Sequence, residues 1–280
     1  MTLGDLLDLV RAYIAEPIAS YWSEAELTNY INYGLNDFCN RTQILEDIRT
    51  WSSVDNQEDY TLPTGWCAIK KLYQVKGNSQ YLLSPQSVNE YLDSTINTVS
   101  STAESYNIWT DKIRLKPRIN ADADVGALSA VLATAATSAG LLTNSVFPRM
   151  GRVLIGSEVI GFTAKSGTSG LIGLQRGLEG TTDTSHALSS IVYERDLFVY
   201  FNKLDATMTS TASTPAIPTQ FHDALAFYAA SIAKQKSKDW DLANNFKAQY
   251  EQRVELGVDY VKHKWRERIN PTYNPSYADL

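Results

Sequence analysis

The sequence predicts an α+β protein: a helical domain with a few short strands that carries, in its middle, an inserted all-β small sandwich or barrel. Apolar residues recur at helical spacing near both ends of the 280-residue chain. Short strand-like segments bounded by turns lie between these ends. From Asn120 to Arg195, aromatic residues become rare while Gly, Ala, Ser and Thr dominate. This change in composition indicates a β-rich region within the helical one.

Two amphipathic helices are predicted at the start of the chain. Thr2 caps the first helix and Pro17 ends it, and its apolar face carries Leu3, Leu6, Leu7, Val10 and Ile14. The second helix begins at the capping box Ser23-Glu24-Ala25-Glu26 and continues with Leu27, Ile31, Leu35 and Phe38. Beyond Trp51 the pattern changes to short strands, predicted at 57–63, 66–75, 106–109 and 112–116, with a brief helix at 87–92.

The region 120–195 is predicted to be all-β. Residues 127–142 have the alanine content of a helix but no apolar stripe at a 3.6-residue period, so strands are predicted here instead. Glycine turns separate further strands at 151–155, 158–163, 170–174 and 190–193. Short strands at this spacing are typical of a small sandwich or barrel.

The chain then returns to the helical pattern. We expect a strand at 197–201, a polar loop at 207–218, a helix marked by Phe221, Leu225, Tyr228 and Ile232, and a helix from Trp240 to about Lys262. The predicted domains are therefore 1–119 with 196–265 (helical), 120–195 (inserted) and 266–280 (an extended C-terminal arm). An insertion of this kind costs little when its two ends lie close together.

Composition argues against several classes of protein. A net charge of −6 disfavours general binding to nucleic acid, which requires clustered Lys and Arg. No apolar run approaches the roughly 20 residues of a membrane helix, and the first residues lack the pattern of a signal peptide. Cys39 and Cys67 lie among apolar residues, which predicts buried free thiols and a reducing cytoplasm.

The stretch 172–188, IGLQRGLEGTTDTSHAL, is the chief candidate for chemistry. It could be a catalytic loop, a phosphate-binding loop or a structural turn. Its glycines are not followed by Lys-Ser/Thr and a helix, so the phosphate-loop pattern fails. Asp183, Ser185 and His186 are the residue types of a catalytic triad, but triads form from distant segments. A structural turn is the preferred interpretation.

No other group of residues has the spacing of a reactive site. His222 and His263 are isolated, so neither a zinc site nor any cofactor site is predicted. The adjacent acids Glu46-Asp47 and Glu58-Asp59 are expected to be solvated. We therefore expect no catalytic residues, no metal and no cofactor.

Two sequence segments resemble segments of the head-to-tail adaptor proteins of tailed bacteriophages, which lie below the portal. The first is Tyr60-Thr-Leu-Pro63 with the strand 66–75 after it, and the second is Ile217-Pro-Thr-Gln-Phe-His-Asp-Ala-Leu225 ahead of the last helices. The paired N-terminal helices fit the same family. Residues 147–162, then 174–181 and His186, are similar to a β-module of phage virion proteins. In that module Gly161 is a departure, since aromatic or polar residues are more usual there.

The resemblance implies a non-enzymatic ring, typically of twelve subunits, that binds the portal protein and tail, nozzle or neck proteins. DNA would pass through its channel without sequence-specific binding, and the protein would be made in the host cytoplasm and function in the virion without contact with a membrane. The arm would bind the portal or a neighbouring subunit through Trp265, Arg266, Arg268, Tyr273 and Tyr277. The turn would be a scaffold formed by Glu158, Arg176, Gly177, Gly180, Thr181 and His186.

Three alternatives remain open at the level of sequence. The chain could be another neck or tail completion protein. It could be a cell-wall hydrolase with Glu158 or Glu179 as the acid. The β-module could bind carbohydrate, although its few aromatic residues, Phe147, Phe162 and Tyr193, disfavour this function.

Overall fold

The computed structural model describes residues 1–16, 21–89 and 99–269, with side chains described as far as Lys264. The chain divides into two compact units. One contains Met1–Glu46, Gly65–Ala68 and the chain from Asn202 onward; the other contains Asp47–Thr64 and Ile69–Phe201. Most of the described helical residues lie in the first unit and nearly all strands in the second. The predicted α+β class is therefore confirmed.

The described part of the helical unit contains four α-helices and a short 3-10 helix. In chain order these are α1 (Leu3–Ile14), α2 (Glu24–Thr42), the 3-10 helix (Thr219–Phe221), α3 (His222–Lys236) and α4 (Trp240–Ile269). Both N-terminal helices begin at the predicted caps. The Thr2 hydroxyl accepts a hydrogen bond from the Asp5 amide at 3.2 Å, and Ser23 does the same for the Glu26 amide at 3.2 Å.

Helix α3 lies at the centre of the helical unit, because it packs against α1, α2 and α4. Small side chains permit this close packing on several sides; the fully buried alanines of α3 are Ala224, Ala226, Ala229, Ala230 and Ala233. The core around them is completed by large apolar residues of α1 and α2, including Leu6, Leu27, Ile31 and Phe38. These are the residues that the helical periodicity placed on the apolar faces.

Helix α4 extends further than the sequence predicts. It continues to Ile269, so the predicted end near Lys262 is wrong, and residues 266–269 are helical, not part of an extended arm. Glu, Arg and Lys keep helix propensity high through this segment, and the first proline comes only at Pro271. Of the brief helix predicted at 87–92, residues 88 and 89 are helical, and residues 90–92 lie outside the described residues.

The strands are short. They are β1 (Glu46–Trp51), β2 (Asp59–Thr61), β3 (Trp66–Lys76), β4 (Ser79–Leu82), β5 (Ser84–Pro85), β6 (Val99–Ser100), β7 (Ser105–Trp109), β8 (Lys112–Lys116), β9 (Arg118–Ile119), β10 (Val125–Ala127), β11 (Ser138–Gly140), β12 (Gly151–Ile155), β13 (Glu158–Phe162), β14 (Ala164–Ser166), β15 (Gly170–Ile172), β16 (Gln175–Leu178), β17 (Ile191–Glu194) and β18 (Leu197–Lys203). They pair in the orders β1-β18-β3-β4, β2-β8-β7-β5, β6-β9, β10-β17-β12-β13-β16 and β11-β15-β14.

Strands β10 to β17 pair only with one another among the described residues. They form the five-stranded and three-stranded antiparallel sheets, and their side chains share one core. Its largest members include Leu128, Phe147, Ile155, Ile160 and Phe162. The absence of helix between 127 and 142 agrees with the prediction that this alanine-rich segment is not helical.

Gly161, the departure from the expected module pattern, lies where β13 meets β16 with a shift in register. A Cβ atom at this position would lie 2.9 Å from Cδ1 of Leu178. Glycine therefore provides the space that Leu178 occupies.

The predicted domain boundaries remain a prediction. The compact unit that contains residues 120–195 also contains 47–64 and 69–119. None of the described helices has both the length and the apolar composition needed to cross a membrane.

Candidate functional site

A buried polar cluster forms around Glu158, in the stretch that the sequence singled out. Glu158 is the first residue of β13 and pairs with Ile155 across the β12–β13 hairpin. Arg176 lies on the adjacent strand β16, and Asp183 and His186 lie in the loop after it. The Glu158 side chain is 0% exposed, so its charge must be satisfied within the protein.

Five donors converge on the Glu158 carboxylate. Arg176 binds it in bidentate fashion, with Nε donating to Oε1 and Nη2 to Oε2, both at 2.8 Å. The amide of Gly177 donates to Oε1 at 3.0 Å and that of Thr184 to Oε2 at 3.2 Å. Nε2 of His186 lies 2.7 Å from Oε2. Both carboxylate oxygens are fully engaged.

These contacts determine the charge state of Glu158. Burial alone would raise its pKa, but the hydrogen bonds from Arg176, His186 and two backbone amides outweigh burial and hold the pKa at about 2. The general acid of a glycoside hydrolase requires a raised pKa. The environment of Glu158 therefore suits a permanent structural charge and does not suit that role.

Arg176 connects Glu158 to two further segments. Its side chain is 7% exposed, and its Nη1 and Nη2 atoms donate to the carbonyls of Ala133 at 2.8 Å and Thr184 at 2.6 Å. Nη2 also lies 2.8 Å from Oδ1 of Asp183, whose Oδ2 accepts from the Ala135 amide at 2.9 Å. One guanidinium thus fixes the loop 183–186 and the segment 133–135 to the sheet.

The backbone between these groups takes unusual conformations. Gly177 and Gly180 have φ angles of 62° and 78°, in the left-handed region that favours glycine. The Thr181 hydroxyl donates to the Leu178 carbonyl at 2.7 Å and accepts from the Val159 amide at 3.0 Å. The structure therefore brings all six residues of the proposed scaffold together around the turn that follows β16: Glu158, Arg176, Gly177, Gly180, Thr181 and His186.

A second buried carboxylate, Glu179, lies next to this turn and is surrounded by arginines. Its side chain is 1% exposed; Oε1 lies 2.8 Å from Arg152, and Oε2 lies 3.5 Å from Arg49 and 3.8 Å from Arg195. It also accepts hydrogen bonds from the amide and hydroxyl of Thr50. Sequence reasoning missed these partners because they come from segments far apart in the chain. Three guanidiniums around one carboxylate leave a local excess of positive charge.

Sequence reasoning also missed a pair of buried acids near the end of β17. Burial, together with Asp196 and Asp124, raises the pKa of Glu194 to about 8. Burial also raises the pKa of Asp196, although that carboxylate accepts from the Ser53 amide at 2.6 Å and from Gln74 at 3.1 Å. Oε1 of Glu194 has no hydrogen-bond partner among the described residues. The sequence Glu194-Arg195-Asp196 does not reveal that either carboxylate is buried.

A cavity of about 830 Å³ opens beside the β3–β4 hairpin. Its aromatic lining consists of Tyr73, Phe162, Phe198 and Tyr200. The rings of Tyr73 and Phe198 are stacked at 5.0 Å between centroids. Its charged lining consists of Arg149, Arg152 and Lys165, with no acidic side chain among the described residues that line it. The cavity is therefore aromatic and cationic.

The remaining candidates have structural environments. His222 is fully buried at the start of α3, with Nε2 2.9 Å from the Ile217 carbonyl, while His263 is exposed on α4. Cys39 is buried as predicted, and burial raises its thiol pKa to about 12; for Cys67 the prediction of a buried thiol is wrong, because it is half-buried. Within residues 1–16, 21–89 and 99–269, no cluster of His, Cys, Asp and Glu could hold a metal ion.

The proposed arm is largely outside the described residues. The backbone of Trp265, Arg266 and Arg268 continues α4, but their side chains are not described. Tyr273 and Tyr277 lie beyond the described residues. Their predicted role in binding therefore remains a prediction.

Comparison with known proteins gives one family. A family model described as SU10 adaptor protein matches residues 1–151, slightly more than half of the chain. The match spans α1, α2 and the strands up to the first residue of β12, and it stops before the turn around Glu158. No curated protein matches the chain.

Proposed function

Because this chain belongs to the SU10 adaptor protein family, a family of phage structural adaptors, we propose that it is the head-to-tail adaptor of a phage particle. In this proposal, copies of the chain form a ring below the portal, with twelve subunits as the expected number, and link the capsid to the tail. The observation that carries the proposal is the family match over residues 1–151. That segment includes both N-terminal helices and the phrase Tyr60-Thr-Leu-Pro63.

The charge of the chain supports a position around a DNA channel. The net charge is −6, so a channel formed by these subunits would not hold a passing polyanion tightly. Binding through DNA phosphates would instead require clustered basic residues. Passage of DNA without sequence-specific binding is consistent with this charge.

The inserted β-module is proposed to be a structural part without catalytic activity. All residues of its core lie between Leu128 and Val192, and its strands pair among themselves. The ends of the segment lie together, since the Glu194 amide donates to the Asp124 carbonyl at 2.8 Å. The buried Glu158–Arg176 pair would act as its internal scaffold. These features support an independent module inserted into the adaptor domain.

The C-terminal segment is proposed to bind the portal or a neighbouring subunit. It combines Trp265, Tyr273 and Tyr277 as aromatic anchors with Arg266 and Arg268. Because α4 continues to Ile269, the deletion that tests this role removes residues 270–280 and leaves the helix complete. We expect the deleted protein to fold and to assemble poorly; full assembly would refute the role of Tyr273 and Tyr277.

Assembly tests the proposed function directly. The purified chain would be imaged by negative-stain microscopy alone and after mixing with portal rings, with portal rings alone as the control. We expect a ring of adaptor density added to one face of the portal. If the chain stays monomeric both alone and with portal rings, the proposal is wrong. The position of the subunit along the neck then distinguishes an adaptor from another neck or tail completion protein.

A further inference from the structure

The aromatic and cationic cavity beside the β3–β4 hairpin contains positive charge that lacks an acidic partner. Arg149 is exposed, and its guanidinium makes no hydrogen bond or ion pair with any described residue. Lys165 donates to the Phe147 carbonyl at 2.8 Å and has no carboxylate partner within the described part of the chain. In an acidic protein, such unpaired cations at the mouth of a cavity mark a surface suited to an acidic group.

The rim of this cavity is also apolar. Met150, which lines the cavity, is 63% exposed, and Leu82 on β4, the cross-strand partner of the cavity residue Tyr73, is 68% exposed. Strand β4 is at the edge of its sheet, and each of its four residues is exposed. Apolar surface of this kind rimmed by charge is typical of a protein–protein contact.

Helix α4 has a surface of complementary chemistry. Glu255 and Asp259 are exposed one turn apart, and Leu256 and Tyr260, also one turn apart, are 46% and 40% exposed. The Glu255 side chain makes no hydrogen bond or ion pair with any described residue, and the Asp259 carboxylate pairs with Lys262 at 3.4 Å. We call residues 255, 256, 259 and 260 the acidic face of α4.

We propose that the cavity of one copy receives the acidic face of α4 from a second copy, with Glu255 and Asp259 facing Arg149 and Lys165. A ring requires a heterologous contact, in which two different patches of the same chain meet. Copies with a net charge of −6 repel one another unless a cationic patch faces an acidic one. Leu256 and Tyr260 provide apolar and aromatic surface for the walls of the cavity. This inference rests on the proposed ring and identifies its subunit contact.

A charge swap tests the contact. Arg149→Glu and Glu255→Arg should each reduce ring assembly by about tenfold, and the effect should weaken as salt is raised. The double variant Arg149→Glu/Glu255→Arg should recover most of the lost assembly, because the pair is restored with reversed polarity. Matched controls are Lys71→Glu on β3 and Asp8→Arg on α1, both exposed and not among the residues that define the two patches, which should stay within about twofold of wild type.

The outcomes separate this inference from the proposed function. If the wild type forms rings and Arg149→Glu forms them equally well, or if Glu255→Arg fails to rescue it, the inference is wrong while the ring proposal stands. Loss of binding to portal protein or to double-stranded DNA, with contacts between copies intact, would also overturn it. If the wild type forms no ring at all, both proposals fail. Circular dichroism of each variant verifies that the fold is kept.

Discussion

Glu158 and Glu194 are both buried glutamates of the same unit, yet their pKa values move in opposite directions. Hydrogen bonds from Arg176, His186 and two amides hold the pKa of Glu158 at about 2 in spite of burial. Glu194 has no comparable donors, so burial and the neighbouring Asp196 raise its pKa to about 8. Burial by itself raises the pKa of both carboxylates. The pKa of Glu158 is lowered because several hydrogen-bond donors stabilise its charged form.

Replacing Glu158 with Gln should destabilise the protein strongly. The substitution removes the charge but not the shape, and it leaves a guanidinium that is 7% exposed without its bidentate partner. Breaking a buried ion pair from one side typically costs about 3 kcal/mol or more of the free energy of unfolding. Urea unfolding, monitored by circular dichroism, measures this loss in the free energy of unfolding. Glu104→Gln, at an exposed position of the same unit, is the control and should change stability by less than about 0.5 kcal/mol.

The stability attributable to Glu158 should also depend on pH. Because its folded-state pKa is lowered from 4.5 to about 2, its contribution is fully present above about pH 4.5 and is lost as the pH falls towards 2. Wild type should therefore lose stability in this window more steeply than Glu158→Gln does. Parallel slopes for the two proteins would show that the ion pair does not contribute.

For Glu194 we expect the contribution to stability to change with pH in the opposite direction. Its folded-state pKa is raised from 4.5 to about 8, so the folded protein holds this proton more tightly than the unfolded chain does. Its contribution is full below about pH 4.5 and is lost as the pH rises through 8. Glu194→Gln should remove this component and should be more stable than wild type at pH 8. Identical pH profiles between pH 5 and 8 would contradict the assignment.

At the scale of elements, the packing of α2 against α4 depends on a glycine. A Cβ atom on Gly257 would lie 2.8 Å from Cγ2 of Thr42 and 2.9 Å from the Phe38 ring, both on α2. Gly257→Ala should therefore destabilise the helical unit by about 1–3 kcal/mol, although alanine has the higher helix propensity.

Gly4→Ala is the matched control for this substitution. It makes the same change within helix α1, where the new Cβ would make only an ordinary contact of 3.4 Å with the Thr211 carbonyl. Thermal unfolding of both variants measures the difference in their stability. A Gly257→Ala protein as stable as Gly4→Ala would show that the two helices can separate without cost.

The same scale shows what the sequence could and could not predict. The helices were predictable because Leu3, Leu6, Val10 and the corresponding residues of α2 repeat at the period of a helix, and Thr2 and Ser23 cap as expected. The resemblance to the phage β-module placed Glu158 and Arg176 in one scaffold, and in the structure their side chains form an ion pair. The end of α4 was placed too early, although Asn270 and Pro271 after Ile269 are signals of a helix end in the sequence.

The contacts of Glu179 show the limit of sequence reasoning. Arg49, Arg152 and Arg195 approach this carboxylate from three segments that only the tertiary fold brings together. Likewise, the cavity beside β3 and β4 gathers Tyr73, Arg149 and Tyr200 from distant parts of the chain. No local period or spacing encodes such contacts.

At the scale of the whole molecule, the inserted module can be tested by isolating it. Residues 120–195 should fold and unfold cooperatively on their own, because their strands pair among themselves and share one core. The fragment should be less stable than the same segment in the intact chain, since Glu179 loses Arg49 and Thr50. Hydrogen exchange of the fragment provides the measurement. Uniformly fast exchange would show that the module does not fold independently.

The central claim is that this chain joins the head of a phage particle to its tail as a structural ring. Side-chain-resolution imaging of the assembled particle tests it most directly. We predict that the fold of α1 to α4, with its β-rich unit, fits a ring of density immediately below the portal, around the DNA channel. Absence of this chain from the particle, or its location away from the junction of head and tail, would contradict the claim.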